Sequence, residues 1–201
     1  MVHYLSITIP MNKNYKYLLL AGMLCNLGDN LIGPFYSVYV HNRGIELVDI
    51  GYASVIYSFV LAALMYYVGK ASDTFNKKAV TVLGYTLFAF SSLLYLVISE
   101  SWHLFAMQII NALGSACLAA PLSALMTEYI QKDKSGEQWG LLNGIGRVAV
   151  GFSVLLGTLV VKYFDFTTLF FLMFVIQISA TFVQAFLFKE KKQQMETAGS
   201  I

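Results

Sequence analysis

Six apolar runs, each long enough to cross a bilayer, limit this chain more than any single motif does. They cover residues 17–40, 48–68, 79–98, 104–130, 140–161 and 167–188. A membrane-spanning helix needs about 20 consecutive, mostly apolar residues. The charges cluster between the runs, and over the 201 residues only 12% are charged while 58% are hydrophobic. A soluble domain carries about a quarter charged residues, so a soluble helix bundle is the weaker reading. The fifteen glycines do not oppose it, because glycine is commoner in membrane helices than in soluble ones. The expectation is an all-α integral membrane protein in three parts: a tail at 1–16, a six-helix bundle at 17–188 and a polar tail at 189–201. Met11 is an alternative start, and the short connections leave no room for an extramembrane domain.

Orientation follows from the basic residues, which favour the cytoplasmic side. With the N-terminus inside, the cytoplasmic segments hold Lys13, Lys16, Lys70, Lys77, Lys78, Lys132, Lys134, Lys189, Lys191 and Lys192. The opposite side holds only Arg43 and Lys162, and Arg147 falls within a run. Both termini are therefore expected in the cytoplasm of a cell-membrane protein. The net charge of +2 reflects this topology and does not indicate nucleic acid. Lys13 and Lys16 resemble the head of a signal peptide, but the run behind them is too long and has no small-residue cleavage site. Cys25 and Cys117 lie inside apolar runs, and His3, His41 and His103 lie in the tail or near helix ends. Neither set has metal-ligand spacing, so no metal and no cofactor is expected.

Several runs carry polar stripes. In the first, Gly22, Asn26, Asp29, Asn30, Gly33 and Ser37 recur at intervals of three and four, on one helical face. Pro34 interrupts the hydrogen bonding of that helix and predicts a kink. Polar groups at membrane depth face protein or water rather than lipid, so the stripe predicts cavity lining. The competing reading is an interhelical hydrogen-bonding seam. The fourth run repeats the outline: Gln108, Asn111 and Ser115 form its stripe, and Leu113-Gly114 precedes Pro121 as Leu27-Gly28 precedes Pro34. Such an echo is what an inverted three-plus-three repeat would leave. Asp29 and Arg147 both lie near the middle of their runs, which predicts a mutually dependent pair. The tyrosines of the second run suit interfacial anchoring. The third run, with Thr81, Thr86 and Ser91, reads as peripheral scaffold, and the sixth carries Gln177, Thr181 and Gln184 on one side.

Between the second and third runs stands Gly69-Lys70-Ala71-Ser72-Asp73-Thr74-Phe75-Asn76-Lys77-Lys78, expected as a tight polar turn. It resembles the loop between helices two and three of the major facilitator superfamily, whose pattern is Gly-x-x-x-Asp-Arg-x-Gly followed by two basic residues. Gly69, Asp73, Lys77 and Lys78 match, whereas Thr74 replaces the arginine and Asn76 the second glycine. Glu128 and Lys134-Ser135-Gly136 are similar to the family's acidic end of helix four and basic-Gly pair before helix five. In helix five the family's antiporter motif has Gly-Pro and Gly-Gly pairs. Here Ala149, Ser153 and Gly157 keep the small size without the proline or double glycine, which weakens the case for proton-driven export.

The resemblance covers nearly the whole chain and implies half of a major facilitator fold. In that family two six-helix bundles rock about a midplane site. It implies transport of a small solute, with the proton as candidate coupling ion, once a second six-helix half is supplied by a homodimer or a separate chain. Asn26, Asp29, Asn30, Gln108, Asn111, Ser115 and Arg147 are the expected cavity residues. Gly69, Asp73, Lys77 and Lys78 are the expected conformational latch, with Asp73 bracing helix five of the opposite half near Gln138. Gly136, Gly140 and Gly144 form a ridge along helix five that would admit another backbone. No catalytic constellation stands out, so an enzyme is not expected. The competing class is a non-transporting six-helix membrane protein or an inactive truncated remnant.

Overall fold

The computed structural model describes residues 13–198, and regular structure among them is entirely helical. Seven α-helices follow in order: α1 (Lys13–Asp29), α2 (Tyr36–Asn42), α3 (Leu47–Thr74), α4 (Lys77–Leu94), α5 (Ser101–Tyr129), α6 (Ser135–Tyr163) and α7 (Phe166–Ala198). Together α1 and α2 make the first span. Between them the chain leaves the α-helix, with Pro34 inside a short 3₁₀ turn at Gly33–Phe35, because proline offers no N–H to the turn behind it. Six units are long and apolar enough to cross a membrane: Lys13–Asn42, Leu47–Thr74, Lys77–Val97, Ser101–Tyr129, Ser135–Tyr163 and Phe166–Phe186. The protein is all-α and multi-pass, as its apolar runs require.

Helix ends are set by local side chains. Asn76 starts α4 by accepting a 3.0 Å hydrogen bond from the Lys78 backbone N–H. Asp165 starts α7 by accepting one of 2.7 Å from the Thr168 N–H. The Thr168 hydroxyl and N–H hold the Asp165 carboxyl below its ordinary pKa. The expected tails lie partly outside the described residues. Within them, α1 already begins at Lys13, and α7 runs through the polar segment to Ala198.

The helices pack in a pattern that maps onto itself when spans one to three exchange with four to six. Helix α3 lies on α5 as α6 lies on α1, α4 lies on α5 as α7 lies on α1, and α4 meets α7 across the axis. This is the inverted repeat that the echo of α1 in α5 predicts.

Lipid tails are as apolar as leucine, so close packing and hydrogen bonds hold membrane helices together. Glycines mark the tightest crossings, and a side chain at Gly28 would strike Gln177 of α7. A side chain at Gly84 would strike Leu118 and crowd the Gly114 carbonyl, and one at Gly157 would run into the Leu31 carbonyl. Between α4 and α7 lies a buried polar seam, where Gln184 Nε2 donates to Thr81 Oγ1 at 2.7 Å and the Ser92 hydroxyl donates to Gln177 Oε1. The third run is therefore a central packing element. Its peripheral reading fails because isolated hydroxyls in a sequence do not reveal their partners two spans away. At the N-terminal end of the bundle Tyr15 and Leu18 pack with Leu125 and Met126, and at the opposite end Tyr39, Tyr95 and Phe170 cluster. By contrast, α3 and α6 turn large apolar side chains outward, among them Phe59, Tyr66, Phe152 and Leu155.

Candidate functional site: a polar cleft along α1 and α5

Three grooves lie in sequence along α1 and α5. The first, of about 420 Å³, opens toward the end opposite the N-terminus and is lined by Asp29, Asn30, Tyr36, Tyr57, Gln108, Asn111 and Ser115, among others. Five of the expected cavity residues thus meet in one place, although they come from two different runs. The second groove, about 360 Å³, shares Asp29 and Ser115 with the first and adds Cys25, Asn26 and Ser123. The third, also about 360 Å³, shares Asn26 and Ser123 with the second and adds Trp139, Asn143 and Arg147 from α6. Shared lining residues make the three neighbours, a row of grooves that runs as a cleft from Tyr36 to Arg147.

Hydrogen bonding separates cavity from seam. Asn26 Nδ2 donates to the Gly22 carbonyl at 3.0 Å, and Asn30 Nδ2 to the Asn26 carbonyl at 2.8 Å. Both bonds return to the asparagine's own helix, so neither amide ties two helices together. Their side-chain carbonyl oxygens remain for the cleft. Two bonds in the first groove do cross helices: Gln108 Nε2 donates to Tyr36 Oη at 3.0 Å, and the Tyr57 and Ser115 hydroxyls lie 2.9 Å apart. Tyr57 and Tyr36 are cleft residues that the sequence reading missed. The interval from Tyr57 to Ser54 and Ser58, which line the same groove, was the available signal.

The expected Asp29–Arg147 pair is absent in this conformation. The two residues line different grooves, and among the described residues the only ion pair is Lys77–Glu128, at 3.0 Å. A position near the middle of a helix gives depth but not azimuth, and Arg147 turns toward the N-terminal groove while Asp29 turns toward the opposite one.

The latch segment is also different from the expected turn. Gly69 to Thr74 continue α3, leaving only Phe75 and Asn76 between helices. Lys77 binds Glu128 at the end of α5, and Lys78 is buried with its ammonium 5.9 Å from the Tyr129 ring centroid. Gly69 faces Ala120 of α5 at ordinary contact distance. Helix α6 starts at Ser135. Gln138, the expected landing point for Asp73, is already engaged: Tyr15 donates to its backbone carbonyl at 2.7 Å, and its side-chain oxygen accepts from the Gln131 N–H at 2.9 Å. Gly136, Gly140 and Gly144 face open space, so the ridge on α6 is uncovered. Among the described residues no group of three or more His, Cys, Asp or Glu is disposed to hold a metal ion.

The sequence profile described as Major Facilitator Superfamily matches residues 18–200. The chain is 26% identical over 178 residues to the Multidrug resistance protein MdtL of Escherichia coli O157:H7 (strain EC4115 / EHEC), a match covering 81% of this chain and 46% of the relative. The same figures hold for the proteins of that name from Shigella dysenteriae serotype 1 (strain Sd197) and Escherichia coli (strain K12 / DH10B). The chain therefore spans about half the length of these curated relatives.

Proposed function

This chain belongs to the major facilitator superfamily, and on that premise we propose that it forms one six-helix half of an alternating-access carrier for a small solute. The observation that carries this reading is the row of adjoining grooves with polar lining residues along α1 and α5. Polar side chains at membrane depth are costly and mark solute or ion paths, and here they line grooves while some of them also bridge helices. Asn26, Asp29, Asn30, Gln108, Asn111 and Ser115 contact the solute, joined by Tyr36 and Tyr57. The proton is the candidate coupling ion, with Asp29 as its carrier.

A second six-helix half completes the transporter. The uncovered apolar faces of α3 and α6 and the match to about half of each relative support this. Asp73, at the N-terminal end of the bundle, braces the partner half across the last turn of α3. Both termini are cytoplasmic in this reading. The multidrug resistance named in the relatives supports testing drug-like solutes first.

The test is reconstitution of the chain in liposomes with a solute panel, with and without an imposed proton gradient. Flux above protein-free vesicles, lost in Asn111→Ala, is expected. No flux for any solute, from vesicles in which the second half is demonstrably present, would favour a non-transporting membrane protein.

A further inference from the structure

We propose that the groove between α1, α5 and α6 binds a small amphipathic organic anion, a carboxylate or sulfonate on an aromatic or branched apolar body, with Arg147 as its charge partner. This rests on the reading of the cleft as a solute path and adds the chemical class of its occupant. Arg147 is the only charged residue in the lining of this groove. It lies 12 residues into α6, so about 18 Å along a helix of about 43 Å, near the bilayer midplane. Guanidinium does not lose its proton in proteins, so the charge must be met by an anion or by water. Among the described residues Arg147 has no ion-pair or hydrogen-bond partner. Asp29, the nearest acidic candidate in the cleft, lines the two other grooves.

The rest of the lining specifies the body of the ligand. Leu19, Met23, Leu122, Met126 and Trp139 supply apolar and polarisable walls; thioethers adapt to irregular shapes, and an indole face suits an aromatic ring. Asn26 and Asn143 supply neutral polar groups near the charge. A volume of about 360 Å³ is at the small end of ligand pockets and suits a compact ligand. Guanidinium pairs with a planar carboxylate through two parallel N–H donors, a geometry that lysine cannot reproduce.

Trp139 in the groove wall gives a binding readout that needs no transport. The full chain carrying Trp102→Phe, in nanodiscs of phosphatidylcholine, is titrated with para-nitrobenzoate and with its neutral isostere para-nitrobenzamide, following quenching of Trp139 emission. The anion is expected to bind about tenfold tighter than the amide, the effect of one charge-assisted contact. Arg147→Gln should erase that preference and Arg147→Lys should keep part of it, both with unchanged helical circular dichroism. Equal binding of the two probes, or an anion preference that survives Arg147→Gln, would overturn the proposal. Repeating the titration in nanodiscs containing phosphatidylglycerol separates the sources of anion. Retained nitrobenzoate binding supports a soluble solute, whereas abolished binding would assign Arg147 to a lipid headgroup and overturn it. Because binding is read directly, the inference can fail while the transport reading stands, and the reverse also holds.

Discussion

Replacing Gly157 and Gly144 separately by alanine tests whether α6 is seated on α1 as described. The two glycines share one helix but meet different surroundings: a Cβ at Gly157 runs into the Leu31 carbonyl, while one at Gly144 meets nothing within 4 Å. The obstruction at Gly157 is backbone of the link that follows α1, so no rotamer change can relieve it, and α6 must move off the first span. Overpacking of this kind costs about 1–3 kcal/mol. Against that, alanine gains about 1 kcal/mol over glycine in a helix interior, and this gain applies to both variants. It cancels in their difference, so Gly144→Ala should be more stable than Gly157→Ala by about 1–3 kcal/mol. Reversible unfolding in mixed micelles, followed by circular dichroism, measures that difference. Two variants of equal stability would refute the close α1–α6 crossing, and with it the wall that α6 contributes to the cleft.

Cysteines at Gly140 or Gly144 should crosslink to a second six-helix half in native membranes, since both positions face open space; a chain that stays uncrosslinked and monomeric yet transports would contradict the half-carrier reading. Asp73→Asn should shift the population toward the inward-open state, seen as raised thiol labelling at Ala71→Cys and lowered labelling at Ser37→Cys, with insertion intact; unchanged labelling and transport would reduce this segment to a connector. Gln184→Leu removes the donor to Thr81 and should destabilise the α4–α7 seam by about 0.6–2 kcal/mol in the same unfolding assay. Full stability in that variant would mean the buried amide holds nothing.

The number and approximate extent of the spans were legible because a bilayer demands long apolar runs and few other folds produce them. Helix ends were less so. The stretch from Gly69 to Thr74 reads as a turn because it is polar, yet it continues α3; hydropathy locates the edge of the lipid, and a helix can continue past it into water. The polar stripes of the first and fourth runs were legible as a shared surface, since intervals of three and four fix a helical face. What occupies the opposite side of a face is set by tertiary packing, which a single sequence does not display. For that reason Thr81, Gln177 and Gln184 became a seam, Tyr57 became a cleft residue instead of an anchor, and Lys77 found Glu128. The Asp29–Arg147 expectation failed on the same ground, because equal depth on two helices does not make two side chains meet.

A transport path along α1 and α5 requires that water and solute reach the cleft. In a background with Cys25 and Cys117 replaced by alanine, single cysteines at Asn111 and Ser123 sample the two ends of that cleft. A membrane-impermeant thiol reagent, applied from each side of native membranes, should label each cysteine, and a transported solute should protect both. Labelling only by a lipid-soluble reagent, with no protection by any solute, would mean that these polar faces are not a transport path.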